Sequence, residues 1–100
     1  MSDPSEAVDE MVLRLRGEGR PYARISRDLG MDRAAYAQQA FQRALRRLPP
    51  SDAKRVRDEE VSRLDSLAER IRVDTRRNDT ERELQLKTIE QMRTQLGGNA

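Results

Sequence analysis

Arginine is the residue type through which this chain can do chemistry: there are eighteen, against two lysines, and the 100 residues contain neither cysteine nor histidine. A guanidinium stays charged and offers its donors as a planar fork that fits phosphate and carboxylate oxygens. The excess therefore has three readings: phosphate recognition, ion pairing along helix surfaces, or the coding bias of a GC-rich genome. Without Cys or His there is no disulfide framework, no zinc knuckle, no thiol or imidazole nucleophile and no imidazole base. The expectation is a non-enzymatic protein with no catalytic residues, no metal and no cofactor. Asp58-Glu59-Glu60 and Asp65 cluster, but Arg55, Arg57, Arg63 and Arg70 interleave with them. That alternation of sign marks a solvated helix face held by i, i+3 and i, i+4 pairs, each worth about 0.2–0.5 kcal/mol, rather than an acid–base centre.

The elements that must position these arginines are helical. Leu, Ile, Val and Phe supply only 19 residues, close to the level at which disorder becomes a concern, but 20 basic and 18 acidic residues nearly cancel. No run of about 18 apolar residues and no signal-peptide core occurs, so a soluble, cytoplasmic chain with no membrane partner is expected. Breakers at Gly17-Glu18-Gly19, Gly30, Pro49-Pro50, Asn78-Asp79 and Gly97-Gly98 separate five helix-period stretches. The first runs from about Ser5, a candidate N-cap, to Arg16, with Val8, Met11, Val12 and Leu15 on one face and Gly17 as its stop. A short second helix opens at Pro21, aligns Tyr22, Ile25 and Leu29, and ends at Gly30. Asp32 is the candidate N-cap of a third, which continues through Tyr36, Ala40, Phe41, Ala44, Leu45 and Leu48 to Pro49-Pro50.

Two helices joined by so tight a turn must cross steeply, and the residues around Gly30 meet that demand. Gly30 stands where the turn needs a positive φ, Met31 points back to the core, Ser26 lets the next helix approach, and Tyr36 and Ala40 take the inward positions six and ten residues on. The stretch Arg20-Pro21-Tyr22-Ala23-Arg24-Ile25-Ser26-Arg27-Asp28-Leu29-Gly30-Met31-Asp32-Arg33 resembles the helix-turn-helix of resolvases, transposases and small terminase subunits, over about 40 residues. The resemblance implies a DNA-binding domain over residues 1–48, with double-stranded DNA as partner and a recognition helix (about 32–48) in the major groove. It also implies base contacts from Arg33, Ala34, Ala37 and Gln38, and phosphate contacts from Arg20, Arg24, Arg27, Arg43, Arg46 and Arg47, helped by the helix amides near Tyr22. The recognition helix departs from a usual reading surface in carrying Ala34, Ala35 and Ala37. Charge falls on the same segment: residues 20–47 hold seven arginines against Asp28 and Asp32, a balance of +5, whereas residues 51–100 hold eleven of each sign.

From Ser51 onward the chain is charged at most positions and apolar at Val56, Val61, Leu64, Leu67, Ala68 and Ile71, a narrow stripe suited to a long amphipathic helix. After Arg76-Arg77-Asn78-Asp79, Thr80 and Glu83 have capping-box spacing, and the next helix carries Leu86, Ile89, Met92 and Leu96. Residues 51–97 thus read as an antiparallel hairpin. Its stripe of Val61, Leu64, Leu67, Ile71, Leu86, Ile89, Met92 and Leu96 is expected to self-associate or to dock on a protein partner. The fold expected is all-α, a three-helix helix-turn-helix domain followed by a charged helical hairpin. Two functions compete: an oligomeric DNA-binding protein, either a transcriptional regulator or a small-terminase-like subunit, and a protein–protein adaptor without DNA contact.

Overall fold

A computed structural model describes residues 4–97. Among them the protein is all-α, 83% helical, with five helices and no strand. These are α1 (Pro4–Gly17), α2 (Tyr22–Asp28), α3 (Ala34–Arg47), α4 (Pro50–Val73) and α5 (Asp79–Gly97). Gly98, expected as part of the final breaker, lies outside the described residues. The chain forms two compact units, Met1–Val56 and Arg57–Ala100, so the division falls inside α4 and not at the Pro49-Pro50 pair expected to separate domains. Proline explains this: Pro50 takes the first position of α4, where its missing N–H is no loss, and Pro49 accepts the Ala53 amide at 2.9 Å. The pair ends α3 and starts α4 in a single step.

In the first unit, Val12, Ile25, Ala37, Ala40 and Phe41 are wholly or almost wholly buried, with Leu15, Tyr22, Ala44, Leu45 and Ala53 close to it. The small residues Ala37, Ala40 and Ala44 on α3 let neighbouring backbones approach, while Phe41 fills the centre and meets the Tyr22 ring edge-on at 6.0 Å between centroids. Arg16 is buried as well, its guanidinium carbon 4.2 Å above the centre of the Tyr22 ring and its Nη1 donating to the Arg20 carbonyl at 3.0 Å. The inward face of α1 differs from the apolar reading. Val12 and Leu15 are buried as expected, but Val8 and Met11 are exposed, and Asp9 and Arg16 are buried in their place.

Asp9 explains that rotation. Its carboxylate is fully buried and accepts Arg43 Nε at 3.0 Å and Arg43 Nη2 at 2.9 Å, a bidentate fork, and Arg47 Nη2 at 2.6 Å. The Arg43 hydrogen bonds, seconded by Arg47, outweigh burial and hold the Asp9 carboxyl below its ordinary value. Arg43 and Arg47 are one helical turn apart on α3, so a single carboxylate on α1 clamps two consecutive turns.

The caps also differ from expectation. Ser5 lies inside α1, which ends in a Schellman arrangement: the Arg20 amide reaches the Leu15 carbonyl and the Gly19 amide that of Arg16, with Gly19 at φ +91°. Gly17 is the last residue of α1, as expected of its stop, and Gly19 beyond it takes the left-handed region. In the second unit, α4 and α5 are antiparallel. The Arg82 Nη1 donates to the Arg72 carbonyl near the loop, and Arg93 meets Asp65 at 3.3 Å farther along. Asn78, not Thr80, caps α5: its Oδ1 accepts the Glu81 amide at 2.8 Å. Asp74 closes the loop by accepting the amide and Nε of Arg76 and the Nε of Arg77, and these bonds, with those from Arg76 foremost, pull its carboxyl well below the usual range.

Replacing Arg43 by Met removes two of the three hydrogen bonds to Asp9 and should lower stability by about 2–3 kcal/mol at pH 7. Because the folded state depresses the Asp9 pKa, this contribution is complete above its ordinary value of 3.8 and is lost as pH falls through the lower, folded-state value. Urea titrations of both proteins should show the gap narrowing as pH is lowered below 3.8.

Candidate nucleic-acid interface

The candidate interface is built on α2, the turn and α3. The C-terminus of α2 is closed by a second Schellman arrangement: the Met31 amide donates to the Ser26 carbonyl at 2.7 Å and the Gly30 amide to that of Arg27 at 3.3 Å. This geometry needs one residue in the left-handed region, and Gly30 supplies it at φ +71°, as its position in the sequence implies. Ser26 is buried beneath the turn and donates its hydroxyl to the Ala23 carbonyl at 2.8 Å. Leu29 and Met31 are half-buried, and Ile25 completes the inner side of α2.

The turn continues through Arg33, and α3 starts at Ala34, so Asp32 is not its N-cap. Arg33 takes that place, with extended backbone and no side-chain hydrogen bond. Ala40, Phe41, Ala44 and Leu45 face inward as expected, and the face departs from expectation only in the first turns of α3. Ala37 is 0% exposed and Tyr36 is 45% exposed, the reverse of what was expected of them. Ala37 is therefore withdrawn as a base-contact residue. Ala34 is exposed, whereas Gln38 is half-buried with an interaction inside the protein.

The seven arginines of residues 20–47 divide by their partners. Arg20 lies 3.5 Å from both Glu18 and Asp28, and Arg24 lies 3.9 Å from Asp28. Arg43 and Arg47 are held by Asp9, so two expected phosphate ligands have a structural task instead. The Tyr22 ring is a core group between Arg16 and Phe41, so only its backbone amide at the start of α2 is left for the phosphate contact expected there. Arg27, Arg33 and Arg46 are exposed and have no ion-pair partner among the described residues. Unlike the clamped pair, they can turn all their donors toward an external anion.

Sequence reasoning missed Asp9 and Arg16, and it placed on a solvated face Glu60, which is buried and accepts the Arg63 Nη1. The available signal for Asp9 and Arg16 was their seven-residue spacing on one face of α1, with Val12 between them, together with the i, i+4 pair Arg43 and Arg47. In the second unit, Leu64, Ile71, Ile89 and Leu96 are buried within one chain and so are withdrawn from an intermolecular interface. Val61, Leu86 and Met92 are half-buried, and Leu67 is exposed. A shallow groove of about 360 Å³ is lined by Leu67, Ile71, Leu84, Thr88, Ile89 and Met92. Among the described residues, no helix is long and apolar enough to cross a membrane. No family model, curated protein or solved structure matches the chain.

A Cβ added at Gly30 would meet nothing within 4 Å, so the cost of Gly30→Ala is backbone strain alone, about 1–2 kcal/mol. Gly17→Ala faces equally open space at an ordinary helical position and should be neutral or stabilising by up to about 1 kcal/mol. Thermal or urea unfolding of the two variants should move in opposite directions.

Proposed function

We propose that this chain is a non-enzymatic double-stranded-DNA-binding protein of helix-turn-helix type, in which α3 enters the major groove. The observation that carries the reading is the coincidence of a glycine-capped turn between α2 and α3 with Arg27, Arg33 and Arg46, three exposed guanidiniums with no carboxylate partner among the described residues. A tight turn alone occurs in many helical cores, and exposed arginines alone occur on many surfaces. Their coincidence within one short segment, beside a half of the chain whose charges balance, is what a phosphate-contacting module requires. A role in transcription or as a small-terminase-like subunit accords with such a module.

We further propose that two copies associate through the second unit, covering the groove around Leu67, Leu84 and Met92. Leu84 is more than half exposed, and the even charge of residues 51–100 lets a second copy approach without net repulsion. A dimer would bring two α3 helices, one from each copy, to the same duplex. The alternative, an adaptor that docks on another protein without touching DNA, rests on the same groove and leaves the arginine distribution unexplained.

Fluorescence anisotropy against a duplex at about 50 and 200 mM salt tests the first proposal: affinity should fall steeply between the two, and Arg27→Ala should weaken binding to all sequences alike. Absence of binding at the lower salt would contradict it. Sedimentation should give a dimer at tens of micromolar and a monomer for Leu84→Glu; a wild-type monomer would favour the adaptor.

A further inference from the structure

The register of α3 singles out two residues that sequence spacing passed over. Gln39 lies two positions from buried Ala37 and from buried Phe41, and Gln42 lies two positions from buried Ala40 and Ala44. Two residues along a helix of 3.6 residues per turn is rather more than half a turn, so both glutamines stand on the side opposite the core. Ala35 and Arg46 share that side, giving an outward row at i, i+4, i+7 and i+11. Gln39 is exposed and Gln42 is half-buried, as Gln38 is, but neither Gln39 nor Gln42 has a hydrogen-bond partner among the described residues, whereas Gln38 interacts within the protein. Both amides therefore keep a donor and an acceptor for an external ligand. Ala35, with only a methyl group, lets the first turn of the helix come close to a flat surface, and Arg46 sets a partnerless cation at the far end of the row.

We propose that Gln39 and Gln42 are the specificity-determining residues of this protein, each reading an adenine edge in the major groove. A glutamine amide matches adenine there, donating to N7 and accepting from the N6 amino group. The inference rests on the DNA-binding reading and goes beyond it, because it replaces Ala37 and Gln38 as the readers and states the base they read. The row holds no carboxylate to accept from cytosine. Its one cation stands three turns from its start, so adenine is favoured over guanine at the central positions.

The test is selection of bound duplexes from a randomised library with wild type, Gln39→Ala and Gln42→Ala. Circular dichroism should be unchanged, since alanine suits an exposed helical position. Wild type should enrich a site containing adenines, and each variant should lose preference at one of them while keeping its affinity for random duplex. Replacing that adenine by 7-deazaadenine should weaken wild type about tenfold and leave the corresponding variant unaffected. Identical selected sites for all three proteins, or wild-type binding without any base preference, would overturn the inference while leaving DNA binding intact. Failure of wild type to bind any duplex would overturn both.

Discussion

The first unit depends on a buried carboxylate. Asp9 is closed off from water on α1, and a carboxylate in that position is tolerable only if cations and hydrogen bonds replace its lost hydration. Arg43 and Arg47 provide both, with three hydrogen bonds from two turns of α3. The consequences spread outward. The pairing fixes the rotation of α1, turning Val8 and Met11 to the surface, and it fixes which side of α3 faces inward. It also removes two arginines from the pool that could meet an external anion, so the charge excess of residues 20–47 is smaller in function than in composition.

The turn beyond Gly30 is the second constraint. A Schellman closure fixes how the chain leaves α2, and the run from Met31 to Arg33 carries it to the start of α3. Successive helix residues stand about 100° apart, so Ala37 continues the inward face of Ala40, Phe41, Ala44 and Leu45 while Tyr36 falls outside it. On the same helix Gln39 is exposed, and Gln38 and Gln42 are half-buried.

What could be read in advance follows from which interactions are local. The five helices, the positive φ of Gly30 and the antiparallel hairpin all follow from breakers and 3.6-residue periodicity within a short window. The buried Asp9 did not, because its partners lie 34 and 38 residues away and an acid directly beside Glu10 reads as solvent-facing. The caps of α1 and α5 were misplaced for a smaller reason. Gly17 ends α1 as expected, but Ser5 lies inside that helix, and Asn78 and Thr80 are chemically competent rivals two residues apart between which only the backbone chooses. Where the candidate interface was misread, at Ala37, Arg43 and Arg47, the cause was the packing of α3 against α1, which local pattern does not specify.

The DNA-binding reading therefore draws on fewer residues than composition suggested, but on residues whose donors are uncommitted. Arg27, Arg33 and Arg46 would supply position, and the outer row of α3 would supply readout. Backbone amide chemical shifts followed by NMR as duplex DNA is added test this division most directly. Binding through α3 predicts perturbations concentrated on residues 27–35 and on the 39, 42 and 46 positions, with α5 largely unmoved. Perturbations confined to α4 and α5, or none at saturating duplex, would contradict it.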